Sequence, residues 1–402
     1  MKRSRKASPP GKVRTGLEIL IDREKDKLKG VGVAMLAHAA SVTPSIQYAW
    51  DALCRLPELR LKALFSPEHG LMGTHQDQEG VEKLEDIWCE GVPVYSLYGQ
   101  DAASLRPARE MLEGVDLLLV DLQDVGSRYY TYVYTLSYCM EACREAGVEV
   151  WVLDRPNPIG GTTLEGNLVS DEFRSFVGRY PLPARHGMTI GELAWMMNEV
   201  FEIACSLRIV TMEGWERGMW FDQTGLPWVL PSPNMPTLGT ATVYPGGCLL
   251  EGTNLSEGRG TTRPFEIVGA PWIDPAGFAR SLNGLGLPGV RFRPLSYRPT
   301  FHKYAGETCG GIEIHVVDRE EFLPFLTGIQ LICCAAGSWP EAFDWRREPY
   351  EFECERLAID LLAGGPWLRE LVEEGKDLSG VGEGWKIPLE EFKTTRNRYM
   401  LY

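Results

Sequence analysis

The first half of the chain carries a series of short, almost continuously apolar runs separated by segments of helical length. The runs are 31–36 (VGVAML), 61–65 (LKALF), 94–98 (VYSLY), 116–121 (DLLLVD), 148–154 (VEVWVLD) and 207–212 (LRIVTM). Successive side chains of a strand point to opposite faces, so a run that is apolar at every position must be covered on both faces. The segments between can supply that cover: 129–146 is long enough for a helix, and Thr189 with Glu192 forms the S/T-x-x-E start of another. The pattern points to an α/β fold: a Rossmann-like, mostly parallel sheet with helices on both faces.

At 402 residues the chain exceeds what one hydrophobic core usually serves. A Pro- and Gly-rich stretch, 227–264, reads as ordered loops crossing between two domains. After it come a helix at 274–282, strands at 290–295 and 311–317 (GIEIHVV), and helices at 320–336, 351–363 and 367–374. We therefore expect a catalytic domain over 15–235 and a smaller α+β domain over 236–402 that completes a cleft.

Several function classes are disfavoured. The net charge of -14 repels phosphate backbones and anionic lipid, so neither a nucleic acid nor a membrane is an expected partner. No apolar run approaches the roughly 18 residues that span a bilayer. The basic start, 1–14, has no apolar core of a signal peptide and reads as a disordered arm, which points to a cytoplasmic location. None of the ten cysteines forms a CxxC pair, and we expect buried free thiols rather than disulfides. No G-x-G-x-x-G, P-loop or G-x-S-x-G motif is present, so no cofactor is expected. His69, His75 and Asp77 do not have zinc-site spacing, so no metal is expected either.

In open parallel sheets, ligands bind beyond the carboxyl ends of the strands. There the sequence turns polar: SPEHG (66–70), DLQDVGSRYY (121–130), DRPNPIGG (154–161) and PARHGM (183–188). The crossing adds SPNMPT (232–237) and EGTNLSEGRGT (251–261). Carboxylates, Asn, Arg and aromatics together suit a neutral or anionic carbohydrate. Acids can move protons, aromatic rings stack on sugar faces, and Arg pairs with a ligand carboxylate. Two other classes stay open on the residues alone: a non-catalytic glycan-binding protein and a Rossmann-like nucleotide-binding enzyme.

At these segments the sequence resembles the NamZ-type exo-β-N-acetylmuramidases. The matching stretches are FSPEHGLMG, VPVYSLYG, VDLLLVDLQDVGSRYYTYVYTL, VLDRPNPIGG, LEGNLVS, SFVGRYPLPARHGMTIGELA, LPSPNMPT, EGTNLSEGRGTTRPFEIVGAPW and FKTTRNRYMLY, in family order. The resemblance implies a glycosidase that releases N-acetylmuramic acid from the non-reducing end of peptidoglycan fragments, a small glycan substrate, during cell-wall turnover. It implies Glu68 as general acid, with His69 orienting it or bonding the sugar. Glu165 is the candidate second carboxylate, although Asn167 stands where the family has proline; Asp124 and Glu257 are reserves. Arg128, Arg185 and Arg259 are candidates for the lactyl carboxylate of muramic acid, Asn234 and Asn254 for the acetamido group or hydroxyls, and Tyr129 and Tyr132 for a stacking wall. Arg155, Asn157 and His186 complete the expected substrate-binding set. Retention, inversion and assistance by the 2-acetamido group all remain open.

Overall fold

The computed structural model describes residues 12–56, 59–76, 78–80, 91–376 and 380–402. All six apolar runs are strands: β1 (Gly32–Ala37), β2 (Arg60–Ser66), β3 (Val94–Ser96), β4 (Leu117–Asp121), β5 (Glu149–Leu153) and β8 (Leu207–Val210). They pair in parallel in the order β3-β2-β1-β4-β5-β8, so the chain winds outward in both directions from β1 and β4. The period of two explains the continuous apolarity. Val33, Met35, Leu117, Leu119 and Trp151 enter one buried layer, with Leu17 of α1 (Gly16–Ile19) and Trp50 of α2 (Ala49–Cys54). Ala34, Leu36, Leu118, Val120, Val150 and Val152 face the other layer, against α3 (Tyr132–Ala146) and α4 (Ile190–Val200). Thr189 and Glu192 close the expected capping box at the start of α4. Each fully buried Leu or Val adds about 1.5–3 kcal/mol.

A short antiparallel hairpin, β6 (Glu165–Leu168) with β7 (Pro183–Arg185), lies between β5 and α4 in sequence. The second half builds the antiparallel sheet β10-β11-β9 from β9 (Ile267–Ala270), β10 (Val290–Tyr297) and β11 (Cys309–Val316). With it come α5 (Leu238–Gly247), α6 (Pro275–Gly284), α7 (Pro324–Ser338), α8 (Ala358–Ala363), α9 (Trp367–Glu373) and α10 (Lys386–Arg396). Val268, Ile312, Phe325 and Ile359 join the α3/α4 layer, so the two halves share one core.

Three expectations need correction. The 227–264 stretch is not all loop, because α5 lies within it despite Pro245. α5 crosses α7 so closely that a Cβ on Gly246 would stand 1.8 Å from the Pro324 carbonyl oxygen. Glycine is therefore the residue that permits this packing. The helix expected over 351–363 begins only at Ala358, because Glu351 and Phe352 are left-handed, with φ of 50° and 66°. Finally, eight cysteines are free among the described residues, but Cys54 is disulfide-bonded. Cys54 ends α2 at the surface, where packing does not sequester it. Asp77 and most of the basic arm lie outside the described residues.

The C-terminal segment is threaded back onto the first half. The Tyr402 hydroxyl donates to Asp154 Oδ2 at 2.6 Å and accepts from the Met212 amide at 2.9 Å. The Leu401 amide donates to Glu192 Oε1 at 2.9 Å, and Arg396 donates to the carbonyls of Gly161 and Gly187. Asp154 is completely buried, and burial pushes its carboxyl up to about 7 against the opposing bond from Tyr402.

Candidate active site

The crevice between β1 and β4, where a dinucleotide would sit in a fold of this order, holds a small cavity of about 20 Å3 lined by Ala40, Val42, Gln123 and Arg155. His38 follows β1; its Nδ1 bonds the Pro231 carbonyl at 3.1 Å and its Nε2 accepts from the Gln123 amide at 2.9 Å. That pattern fixes the neutral tautomer, and burial holds the imidazole down at about 3. Beside it Arg155 forms a two-pronged pair with Asp121, at 2.6 and 2.8 Å, and donates to Val42. Arg155 is therefore spent on holding strand ends together.

A second cavity opens further along the same edge and is narrow, with a volume of about 40 Å3. Glu68 and His69 enter it from the turn after β2, and Tyr129, Tyr130 and Thr131 from the segment between β4 and α3. Ser232, Asn234 and Met235 come from the crossing, and Tyr244 from α5. Glu251, Arg259, Phe265, Tyr350 and Glu351 close it from the second half. Polar turns far apart in sequence thus converge on one crevice.

Glu68 is nearly sealed, at 5 % exposure, yet lines this space. Its Oε2 accepts from the Thr131 hydroxyl at 2.9 Å and its Oε1 from the Gln78 amide at 3.2 Å. His69 Nδ1 bonds the His75 carbonyl at 3.0 Å, which makes Nδ1 the donor and leaves Nε2 as acceptor. Opposite, Glu251 accepts from Arg259 Nη2 at 2.8 Å and from the Tyr350 hydroxyl at 2.6 Å. Glu351 accepts from the Tyr98 hydroxyl at 2.9 Å. The hydroxyls of Tyr129 and Tyr130 make no well-formed hydrogen bond among the described residues, although Tyr129 lies near Arg128 and Tyr130 near Ser232 and Tyr132, and burial raises both phenols. Poorly paired buried polar groups are costly, so two of them on a cavity wall fit a site shaped for a hydroxylated ligand. His69 (φ 73°), Phe265 (φ 62°) and Glu351 (φ 50°) line the cavity in left-handed backbone. Each costs on the order of 1–3 kcal/mol, and such strain concentrates at functional sites.

Of the residues singled out from sequence, Glu68, His69, Tyr129, Asn234 and Arg259 lie on the cavity wall. The others lie outside the lining. Glu165 sits on β6, where its Oε1 accepts from the Leu326 amide at the start of α7, at 2.9 Å. Burial raises it to about 7, opposed by the amides of Leu326 and Phe325 and by the Arg185 charge. Asp124 accepts from the Gly126 amide at 2.6 Å and faces His186 Nε2 at 3.3 Å, while His186 Nδ1 accepts from Met188. Arg128 is fully buried and donates to the carbonyls of Asn167, Leu182 and Leu362. Arg185 bonds the Ile159 carbonyl and lies over the Trp220 ring, at 5.4 Å.

Asn157 bridges the Met188 carbonyl and the Ile159 amide, and Asn254 ties to Ala342 and Asp344. Tyr132 donates to the Pro231 carbonyl at 2.8 Å. Burial alone would raise Glu257, but Lys303, His302 and Arg259 around it hold it well below the usual carboxylate range. Sequence reasoning did not assign Thr131, Tyr130, Ser232, Tyr244, Glu251, Tyr350 or Glu351. Several fall inside the polar segments already quoted, but Glu351 begins a stretch read as helix and Tyr350 immediately precedes it, where nothing in the composition marks them.

A sealed carboxylate from one half, faced across a narrow cavity by carboxylates and tyrosines from the other, is an arrangement suited to a glycosidase. The comparisons with known proteins agree. Residues 33–239 match the family model of the exo-beta-N-acetylmuramidase NamZ N-terminal domain, and 242–402 match its C-terminal domain. The chain belongs to the NamZ family. It is 44% identical over 391 residues to the peptidoglycan beta-N-acetylmuramidase NamZ of Bacillus subtilis (strain 168), covering 97% of this chain and 92% of that one. Two solved DUF1343 family proteins of Bacteroides fragilis NCTC 9343 share the fold. One has a TM-score of 0.88 at 33% identity, covering 97% of this chain and 99% of its own. The other has a TM-score of 0.76 at 28% identity, covering 98% and 99%.

Proposed function

We propose that this protein hydrolyses the β-glycosidic bond after a non-reducing terminal N-acetylmuramic acid in peptidoglycan fragments, with Glu68 as the proton donor. The supporting observation is the position of Glu68: it is nearly sealed from water, held at both oxygens by Thr131 and Gln78, and set on the wall of the shared cavity. As the bond from C1 to the bridging oxygen breaks, the Glu68 proton passes to that oxygen, and water ultimately supplies the hydroxyl at C1. Positive charge grows at C1 in the transition state. Glu251, fixed by Arg259 and Tyr350, supplies a preorganised negative charge on the opposite wall. Glu165, Asp124 and Glu257 take no part in this scheme, because each is committed to its own neighbours outside the lining. The Tyr129 and Tyr130 hydroxyls, which lack a well-formed hydrogen bond among the described residues, offer hydrogen bonds to the sugar.

The test is direct. The protein is incubated with the disaccharide N-acetylmuramyl-β-1,4-N-acetylglucosamine, and both free sugars are sought by mass spectrometry. Equimolar release supports the reading. An intact disaccharide beside a folded protein overturns it.

A further inference from the structure

We propose that Arg346, in the loop after α7, reads the lactyl carboxylate that distinguishes N-acetylmuramic acid from N-acetylglucosamine. The inference rests on the hydrolase reading above and deepens it. The cavity wall carries Glu68, Glu251 and Glu351, so an anionic sugar meets repulsion unless a cation receives its carboxylate. Arg259 is the cation in the wall, but it is already shared between Glu251 at 2.8 Å and Glu257 at 3.3 Å.

Arg346 differs in what it touches. Its Nη2 donates to two neutral acceptors, Gln78 Oε1 at 3.1 Å and the Pro349 carbonyl at 3.2 Å. The carboxylate recorded near it is Glu348, at 3.9 Å from Nε, and that side chain is 76% exposed, where solvent weakens the attraction. The Arg346 side chain is itself 16% exposed, so it is sheltered but reachable. Its guanidinium lies 5.1 Å from the centre of the Tyr350 ring, which is part of the cavity wall.

Gln78 ties Arg346 to the proton donor. Its side chain accepts from Arg346, and its amide donates to Glu68 Oε1 at 3.2 Å. The acid and the guanidinium are therefore bridged by one residue, with Arg346 just behind the lining, against Tyr350 and Gln78. The ligand has matching spacing: the lactyl carboxylate hangs from O3 of the ring, several bonds from the glycosidic oxygen at C1. In this assignment the lactyl group is placed on the Gln78 side of Glu68 when that oxygen lies on Glu68. The planar guanidinium suits a carboxylate, whereas the neutral 3-hydroxyl of N-acetylglucosamine gives it no charge to pair with.

The experiment compares wild type, Arg346→Gln and Arg346→Lys. Kinetics use the 4-nitrophenyl β-glycosides of N-acetylmuramic acid and N-acetylglucosamine; calorimetry uses free N-acetylmuramic acid and its methyl ester. Arg346→Gln should raise KM for the muramyl glycoside by roughly 10- to 100-fold with kcat within about threefold. It should leave KM for the glucosaminyl glycoside unchanged and abolish the preference for the free acid over the ester. Arg346→Lys should recover part of that preference; because it keeps the charge, it also serves if the Gln variant fails to fold. An unchanged preference for the acid in the variants overturns the assignment, as does an equal rise in KM for both glycosides. The two readings fail separately. A wild type that cleaves the disaccharide while Arg346→Gln is indistinguishable removes the anchor alone. A wild type that cleaves nothing, yet loses acid-over-ester binding on Arg346→Gln, removes the hydrolysis alone.

Discussion

Glu68→Gln separates the proton from every other contribution of that side chain. The carboxylate accepts one hydrogen bond at each oxygen, from Thr131 at 2.9 Å and from Gln78 at 3.2 Å. Glutamine keeps an acceptor for the Gln78 amide, and the Thr131 hydroxyl can rotate to accept from the new NH2. The cost in stability is therefore about 1 kcal/mol, the value of one neutral hydrogen bond weakened. The transferable proton is lost entirely. General acid catalysis contributes about 10²–10⁴-fold, or about 2.7–5.4 kcal/mol of barrier. That contribution matters most when the departing group is a sugar hydroxyl, and much less for 4-nitrophenolate, which departs without a proton. The assay is kcat/KM on the muramyl disaccharide and on the muramyl 4-nitrophenyl glycoside, with thermal unfolding as the check on folding. The disaccharide rate should fall by at least about 100-fold and the nitrophenyl rate by clearly less. A disaccharide rate within tenfold of wild type refutes the role of Glu68, and an equal loss on both substrates shows that the side chain contributes something other than a proton.

Other outcomes follow from the same contacts. Tyr402→Phe removes a donor to Asp154 and an acceptor for Met212, and should cost about 2–3 kcal/mol at pH 8, where Asp154 is ionised. At pH 5, below the folded value of about 7, Asp154 is neutral and the loss should shrink to about 1 kcal/mol; urea unfolding showing the same loss at both pH values contradicts this. Glu165 is also raised to about 7, above its unfolded value, so its contribution to stability is full below about pH 4 and is lost as pH rises through 7. Glu165→Gln should therefore gain about 2 kcal/mol on wild type between pH 5 and pH 8, with kcat/KM within about threefold; a large fall in kcat would restore Glu165 to the mechanism. Arg128→Met leaves the carbonyls of Asn167, Leu182 and Leu362 without their donor and should destabilise by about 3–5 kcal/mol; retained thermal stability would show that water replaces the guanidinium.

The parallel sheet was legible because its signal is local. Apolar runs such as 117–121 have few other ways to be buried, and the Thr189–Glu192 cap marks its own helix. α5 was missed because its apolar content comes with Thr, Pro and two glycines, and only its close crossing of α7 explains that composition. Glu68 and His69 stood out because a turn follows a buried strand there. Arg128, Arg155 and Glu165 share the same polar turns, and sequence could not separate them from the cavity wall. Whether an arginine faces a ligand or a neighbouring carbonyl depends on partners up to 234 positions away, as with Arg128 and Leu362. Tyr350 and Glu351 were invisible for a related reason: a left-handed glutamate has no signature in composition.

The seat of Tyr402 on Asp154, 248 positions earlier, has a consequence for biogenesis. On the ribosome, the first half emerges with Asp154 and Glu192 bonded to Thr189 but still lacking the bonds from Leu401 and Tyr402. Those two bonds form only once the chain has been made through position 402. Until then Asp154 lacks one of its donors, so the first half completes its set of hydrogen bonds only after the second half has been made.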